Sequence, residues 1–167
     1  MKDFPEHATC SREIDSPVGT LMLFATSKGL AGLFFGHRVP DSECPPDNPQ
    51  NPHLNAAEKQ LAEYFAKERQ DFDLSYDRRG TAFQESVWQQ LSKIPFGETC
   101  SYGDIARRIN NPNSVRAVGL ANGSNPISII VPCHRVIGAN GSLTGFGGGL
   151  DIKQKLLTHE GLLLGLG

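Results

Sequence analysis

The chain has 167 residues, of which 38% are hydrophobic and 20% charged, and its formal net charge is -2. This length and composition fit one or two small globular domains and exclude collagen-like and strongly disordered chains. No apolar run approaches the ~20 residues that cross a bilayer, and the N-terminus lacks an apolar signal segment, so we expect no membrane association and a cytoplasmic location with reduced cysteines.

The first part of the chain predicts a small antiparallel sheet. Runs of branched, aromatic and leucine residues between turns at Pro17-Val18-Gly19 and Lys28-Gly29 are typical of short strands. The predicted strands are Cys10–Ile14, Leu21–Ala25 and Leu30–Phe35. After a proline-rich loop over 40–52, helical spacing of apolar residues predicts a helix over 53–67 that covers one face of the sheet. We expect an N-terminal domain over 1–79, which contains no cluster of catalytic residue types.

Two capping boxes mark helices in the second domain, 80–167. Thr81 with Gln84 begins one helix, and Ser101 with Asp104 begins a shorter one through Ile109. A third helix is predicted from a cap at Asn113 or Ser114 to a stop at Asn122-Gly123. The last two helices, joined by a tight turn, form a candidate helix-turn-helix.

The charge is distributed unevenly along the chain. Residues 1–80 have a net charge of -4, whereas residues 81–167 have a net charge of +2. The basic residues on or beside the candidate helix-turn-helix are Lys93, Arg107, Arg108 and Arg116. They indicate that any polyanion meets the second domain, although a solvated basic face explains them equally well.

The C-terminal third is predicted to contain both strands and a helix. Ile129-Ile130-Val131 reads as a buried strand or an extended entry, and Asn140-Gly141 predicts a β-hairpin like the wing of a winged helix, between 136–137 and 143–144. A final amphipathic helix runs from Leu150 to about Glu160. The fold class is therefore α+β.

Cys133 and His134 are adjacent, which suggests a thiolate–imidazole pair. Neighbouring side chains on a strand point to opposite faces, so contact requires a turn or one-turn helix at Cys133, or a bridging water. The start of such a helix would favour the thiolate. The alternative is a buried, inert cysteine beside an exposed histidine. Zinc is disfavoured because no spaced pair of further ligands accompanies these two residues.

The second domain resembles the 6-O-methylguanine-DNA methyltransferases, which are direct-reversal DNA repair proteins. The resemblance spans 83–160 and is carried by Ser101-Tyr102-Gly103, Arg116-Ala117-Val118-Gly119, Asn125-Pro126-Ile127, Pro132-Cys133-His134-Arg135-Val136-Ile137, Gly148-Gly149-Leu150, Lys153 and Glu160. The first half matches more loosely, through Ser16-Pro17-Val18-Gly19 and the strands that follow. The resemblance implies a small ribonuclease H-like N-terminal domain followed by a winged-helix-like catalytic domain.

The resemblance also implies roles for individual residues. Cys133 takes the alkyl group, His134 removes the thiol proton through a water, and Glu160 orients His134 and balances its charge. Tyr102 donates to the guanine ring and helps to flip the nucleotide, while Asn125 braces the turn that carries the cysteine.

Further residues are implied to contact DNA and the flipped base. Arg116 matches an arginine finger that fills the vacated stack, with phosphate binding as the alternative, and Ser114, Arg107 and Arg108 are expected to contact the duplex. Val136, Phe146 and Gly147 are expected to line the base pocket. Many family members have tyrosine where this chain has Phe146, so its alkyl preference could differ.

The implied activity is a single irreversible alkyl transfer from guanine, with thymine lesions as a further possibility, and it uses no metal or other cofactor. The implied partner is double-stranded DNA with alkylated guanine, bound by a monomer, and cooperative binding along DNA is left open. Two rival functions remain: a Cys-His hydrolase, and a protein that binds DNA or its lesions without repairing them.

Overall fold

The computed structural model describes residues 5–162. The chain divides between Arg79 and Gly80 into two compact units. In the described part of the chain, no helix is long and apolar enough to span a membrane.

The first unit is a three-stranded antiparallel sheet with one long helix. Strands β1 (Cys10–Ile14), β2 (Leu21–Ala25) and β3 (Leu30–Phe35) lie in the order β1-β2-β3, and α1 spans Pro52–Phe65. Short 3₁₀ helices span Gly36–Arg38 and Asp41–Glu43. The predicted strands and meander are confirmed at the same bounds. The predicted helix is confirmed with shifted ends. It begins one residue earlier than predicted, because Asn51 accepts from the amides of His53 and Leu54 and caps it, and it ends two residues earlier, at Phe65.

The central strand β2 is buried along its whole length. Met22 and Phe24 pack in a cluster with Ala31 and Val39, and the alternate residues of β2 point to the opposite face of the sheet. On α1 the buried residues follow helical spacing, and they are Leu54, Ala57, Leu61 and Tyr64. Both faces of β2 are therefore removed from water, which explains why its sequence is continuously apolar.

Over its described residues, 80–162, the second unit contains four α-helices and one small parallel sheet. The helices are α2 (Ala82–Leu91), α3 (Tyr102–Arg108), α4 (Val115–Gly123) and α5 (Leu150–His159). Strands β4 (Cys100–Ser101) and β5 (Val136–Ile137) pair in parallel, and a 3₁₀ helix spans Cys133–Arg135. This arrangement confirms the α+β class.

Both predicted capping boxes are present. The Thr81 hydroxyl accepts from the Gln84 amide, and the Ser101 hydroxyl accepts from the Asp104 amide, with both reciprocal bonds formed. Ser114 precedes α4 but makes no side-chain cap, since its hydroxyl donates to the Asn111 carbonyl instead. Asn122, predicted to stop α4, lies buried within it.

Two predictions for the C-terminal third are wrong in detail. Residues 129 and 130 form a turn and residue 131 a bend rather than a strand, because the Asn125 side chain binds the Ile127 amide before this segment and the Val131 carbonyl at its end. The turn at Asn140-Gly141 forms, but residues 143–144 form no second strand, so the hairpin ladder is missing. The edge of β5 pairs with β4, and the Thr144 carbonyl accepts from Lys153.

Trp88 anchors the core of the second unit. Its ring is 1% exposed, and its indole nitrogen donates to the Ala121 carbonyl at 2.9 Å, which ties α2 to α4. Since this is the one tryptophan in the chain, its fluorescence reports on the packing of the second unit.

We predict that Thr81→Ala lowers the free energy of unfolding by about 1 kcal/mol, because α2 loses the acceptor for its Gln84 amide. Thr81→Ser keeps the hydroxyl and serves as the matched control. Urea unfolding followed by Trp88 fluorescence measures both variants. Equal losses in the two variants would show that the cap does not stabilise this unit.

Candidate active site

Cys133 begins a short 3₁₀ helix, Cys133–Arg135, which is one of the arrangements considered for the adjacent cysteine and histidine. Pro132 has φ -81° and ψ 65°, and the Cys133 amide donates back to the Val131 carbonyl at 2.8 Å. The cysteine is 4% exposed. The structure thus places the thiol in the interior of the unit, at a tight turn.

Asn125 braces the approach to this turn. Its side-chain nitrogen donates to the Val131 carbonyl at 2.8 Å, and its oxygen accepts from the Ile127 amide at 3.1 Å. Between these contacts Ile129 has φ 71°, a left-handed conformation that a β-branched residue rarely adopts. The buried Asn125 amide therefore stabilises a strained loop directly before the cysteine.

His134 is completely buried and pairs with Glu160. Its Nε2 lies 2.7 Å from Glu160 Oε2. A carboxylate only accepts, so Nε2 carries the hydrogen, and the neutral ring keeps its lone pair on Nδ1. Within residues 5–162, no protein group bonds Nδ1, which is also buried. The arrangement leaves one basic nitrogen on the residue next to Cys133.

Glu160 receives donors from three residues. Besides His134, the Arg135 guanidinium donates to both carboxylate oxygens at 2.7 and 3.0 Å, and the Gly97 amide donates to Oε1 at 3.3 Å. Arg135 also donates to the Ile94 carbonyl at 2.6 Å. This buried network joins the catalytic turn, the C-cap of α5 and the segment after α2.

A second buried cation lies on the other side of the turn. The Lys153 ammonium donates to the carbonyls of Val136 at 2.7 Å and Thr144 at 2.8 Å. The Thr144 hydroxyl lies 3.0 Å from the Tyr102 hydroxyl. Tyr102 is the first residue of α3, so these contacts connect α3 with α5 through residue 144.

The candidate DNA-contacting residues lie on and between α3 and α4. Arg107, Arg108 and Arg116 are exposed, while Ser114 is half-buried. Arg107 pairs with Asp104. A Cβ placed on Gly119 of α4 would lie 4.0 Å from the Tyr102 ring, so Tyr102 stands beside the helix that carries Arg116.

The candidate base-pocket residues differ in exposure. Val136 is fully buried, Phe146 is half-buried and Gly147 is exposed. The Phe146 carbonyl accepts from the Gly149 amide at 2.9 Å, just before α5. Val136 and residue 144 share the Lys153 ammonium, so one buried group contacts both ends of the segment that precedes Phe146.

Comparison with known proteins gives both units the same family. A sequence profile for the 6-O-methylguanine DNA methyltransferase DNA binding domain matches residues 82–162, and the profile for the ribonuclease-like domain of the same family matches residues 12–77. The chain belongs to the 6-O-methylguanine DNA methyltransferase family. Its ribonuclease-like N-terminal domain and its DNA-binding C-terminal domain confirm the predicted fold.

Related family members match most of the chain. The methylated-DNA–protein-cysteine methyltransferase of Mycolicibacterium paratuberculosis is 52% identical over 153 residues, covering 89% of this chain and 90% of the relative. That of Methanosarcina acetivorans is 50% identical over 148 residues, covering 88% and 95%. The structure of Mycobacterium tuberculosis OGT in complex with DNA has a TM-score of 0.83 and 50% identity, covering 90% of this chain and 91% of that one.

In this methyltransferase family member, opposing effects act on the cysteine. Burial raises the pKa of the Cys133 thiol, whereas Asn125, the Lys153 charge and Ser128 lower it. The Cys133 amide at the start of the short helix also lowers this pKa, as expected of a helix start, but its effect is the smallest of these causes. A buried thiol therefore needs a base and a nearby positive charge to ionise.

The histidine and glutamate have opposite protonation preferences. Burial lowers the pKa of His134, although Glu160 partly opposes this, so the imidazole is neutral at pH 7. Burial alone would raise the pKa of Glu160, but hydrogen bonds from His134 and Arg135 hold it well below its usual range. With Glu160 ionised and His134 neutral, the pair can accept one proton, on Nδ1 of His134.

Sequence reasoning did not assign several buried polar groups to this site. Arg135 and Lys153 appeared only within motifs, and Asn122, which donates to the Cys133 carbonyl at 3.4 Å, appeared as a helix stop. For Lys153 a signal was available, since it occupies a position on the apolar face of α5 with Leu156 and Leu157. For Arg135 the local pattern contained no comparable signal.

We predict that Glu160→Gln lowers the free energy of unfolding by about 3 kcal/mol or more, because Arg135 then stays buried without its counter-ion. The folded pKa of Glu160 lies below the unfolded value of ~4.3, so its contribution is complete above about pH 5 and is lost as the pH falls. Urea unfolding followed by Trp88 fluorescence between pH 7 and pH ~4 should therefore show a shallower acid loss in the variant than in the parent.

Glu98→Gln is the matched control, since Glu98 is exposed and the variant removes the same charge. We expect its unfolding free energy to match the parent within ~0.5 kcal/mol. If the two variants behave alike, the Glu160 network does not stabilise the unit.

Proposed function

We propose that this protein repairs alkylated DNA by transferring the alkyl group from O6 of guanine to its own Cys133. The observation that carries the proposal is the buried His134–Glu160 pair, which leaves an unprotonated nitrogen on the residue next to the cysteine. Family membership supplies the substrate class, and the site supplies the groups that the reaction needs.

The reaction is displacement at a saturated carbon. Nδ1 of His134 takes the Cys133 proton through a water, and Glu160 stabilises the resulting imidazolium. The thiolate then forms the S–C bond while the C–O6 bond breaks, and the electron pair leaves with guanine. Because attack is at an alkyl carbon, no oxyanion hole is required.

Tyr102 improves the leaving group. As the C–O6 bond breaks, negative charge develops on the base, and a hydroxyl that donates to ring nitrogen N3 neutralises it. Tyr102 begins α3 and its hydroxyl contacts Thr144, so its position is supported from two sides.

The substrate base must leave the duplex to reach a buried thiol. Flipping a nucleotide costs a few kcal/mol in lost stacking and pairing. We propose that Arg116, exposed on α4, fills the vacated stack, and that Arg107, Arg108 and Ser114 contact the duplex around it. Asn125 keeps the cysteine turn rigid while the base enters.

The flipped base is proposed to lie against Val136, Phe146 and Gly147. Phe146 offers an aromatic face without a hydroxyl, so this position contributes stacking but no side-chain hydrogen bond. Gly147 lets the backbone approach the base edge closely.

The product is a thioether, which has no activated leaving group, so each molecule acts once. The alkyl acceptor is the protein itself, and the proposed reaction therefore uses no cofactor. In residues 5–162, no three His, Cys, Asp or Glu side chains are grouped to hold a metal ion.

We infer that the protein acts on double-stranded DNA as a monomer in the cytoplasm. The nucleophile, the base and its orienting carboxylate come from one chain, so one copy suffices for the chemistry. The thiol must stay reduced to react, and a reducing compartment such as the cytoplasm keeps thiols reduced.

We predict that mixing the protein with duplex DNA that contains 6-O-methylguanine adds one methyl group to Cys133 and then stops. Intact-protein and peptide mass spectrometry measure the number and position of the added groups. Cys100→Ser, which alters another buried thiol of the same unit, should react normally, while Cys133→Ser should remain unmodified.

Other outcomes would identify a rival function. Repeated turnover of an ester or amide would indicate a Cys-His hydrolase. Tight binding of the lesion with an unchanged protein mass would indicate a lesion-binding protein. Either result would refute the proposed transfer.

We predict that Arg116→Ala slows transfer from duplex DNA roughly a hundredfold, equivalent to about 3 kcal/mol of base-flipping cost. Transfer from single-stranded DNA and from free 6-O-benzylguanine should change little, since neither requires the vacated stack to be filled. Single-turnover rates on the three substrates measure the difference.

Arg107→Ala is the matched control because it removes an exposed arginine from the adjacent helix. We expect Arg107→Ala to weaken the binding of duplex DNA and of single-stranded DNA by the same factor, as the loss of a phosphate contact does. If Arg116→Ala shows this same pattern, Arg116 contacts phosphate and does not act as a wedge.

A further inference from the structure

Lys153 is the most deeply buried cation of the second unit. It is 0% exposed, and it lies on the same face of α5 as the buried residues Leu156 and Leu157. Lysine is almost never fully buried without partners, because removing an ammonium from water is costly. Its partners are two backbone carbonyls, on Val136 and Thr144. They satisfy hydrogen bonds but leave its positive charge uncancelled.

These two carbonyls mark the ends of the 136–144 segment. Val136 directly follows the 3₁₀ helix of Cys133, and the Thr144 hydroxyl contacts the Tyr102 hydroxyl. No strand ladder joins residues 143–144 to β5 in the described chain. The Lys153 ammonium instead connects the two ends of this segment through its hydrogen bonds to Val136 and Thr144. One side chain thus connects the nucleophile turn, the proposed base pocket and Tyr102.

The other ionisable groups near Lys153 are paired or neutral, so its charge is available to the Cys133 thiol. On the 3₁₀ helix, Arg135 is paired with Glu160 of α5, and His134 is neutral. Burial lowers the pKa of Lys153 to about 8, and the charge of a Cys133 thiolate raises it. The ammonium in turn lowers the pKa of the Cys133 thiol. At pH 7 the lysine is protonated, and the negative charge with which it interacts is that of a Cys133 thiolate.

We propose that Lys153 is a positioning residue that holds the 136–144 segment in place beside Tyr102 and, through its fixed positive charge, stabilises the Cys133 thiolate. The consequence for alkyl transfer rests on the proposed function, whereas the effect on the thiol does not. The two can therefore be tested separately.

The first experiment titrates the thiol without DNA. Iodoacetamide alkylates a thiolate to give a thioether and iodide, and mass spectrometry of peptides follows Cys133 alone. We expect Lys153→Met and Lys153→Gln to raise the pKa of Cys133 by about one unit, so that alkylation at pH 7 slows about tenfold. Gln can donate to a carbonyl but has no charge, so it separates the charge from the hydrogen bonds.

Lys155→Met is the matched control, since Lys155 is an exposed lysine on the same helix. It should leave the titration of Cys133 unchanged. Trp88 fluorescence and urea unfolding verify that each variant is folded. If Lys153→Met does not fold, Lys153→Gln and the pH profile of the parent protein still test the proposal.

The second experiment measures methyl transfer from duplex DNA as a function of pH. In the parent protein the rate should fall above about pH 8 as Lys153 loses its proton. This alkaline decline should persist in Lys155→Met and disappear in Lys153→Gln, which should also be slower at pH 7.

The proposal is overturned if Cys133 titrates identically in the parent and in folded Lys153 variants, or if Lys153→Gln keeps the alkaline decline. A raised thiol pKa in variants of a protein that transfers no methyl group would support the role of Lys153 and refute the proposed function. Loss of transfer with an unchanged thiol titration would overturn the electrostatic role.

Discussion

The buried carboxylate of Glu160 is the contact on which the catalytic unit depends. It joins His134 and Arg135, which lie 26 and 25 positions earlier in the chain, and it also accepts from the Gly97 amide. Arg135 extends the network to the Ile94 carbonyl beyond α2. A single acidic side chain at the end of α5 thereby sets the orientation of His134, and with it the hydrogen on Nε2 and the lone pair on Nδ1. Because the network is buried, removing one partner leaves a buried charge without its counter-ion.

The buried charges of the second unit fall into two groups: Glu160 and Arg135 form an ion pair, whereas Lys153 has no carboxylate partner among the described residues. Glu160 and Arg135 offset one another, so Glu160 does not force a proton onto His134, whose pKa is lowered by burial. Lys153 binds carbonyl oxygens, and its charge therefore remains available to a thiolate at Cys133. In a low-dielectric interior such an uncancelled charge acts more strongly than it would at the surface. Burial raises the pKa of the Cys133 thiol, and the buried charge of Lys153 opposes that effect.

Tyr102 links this interior to the surface that is proposed to meet DNA. It begins α3 after the Ser101 capping box, its ring stands beside Gly119 of α4, and its hydroxyl reaches Thr144. The exposed arginines belong to the same two helices, whereas the Cys133 thiol is buried. Asn125 keeps that approach in a strained conformation, with Ile129 at positive φ. Tyr102 thus connects the proposed DNA-contacting helices with the buried site within one unit.

Sequence alone predicted the features that local interactions determine. The strands of the first unit, the helix capped at Asn51 and both capping boxes depend on side chains within a few positions, so their patterns are visible in the chain. The resemblance around Cys133 pointed to the family, and it is the source of the proposed nucleophile and base. Tertiary structure decided the rest: Arg135 as the counter-ion of Glu160, Lys153 as a buried donor to residues 17 and 9 positions away, and the pairing of β5 with β4 in place of a hairpin. An arginine or a lysine looks like a surface cation in sequence, because only the folded chain brings distant carboxylates and carbonyls close enough to hold its charge in the interior.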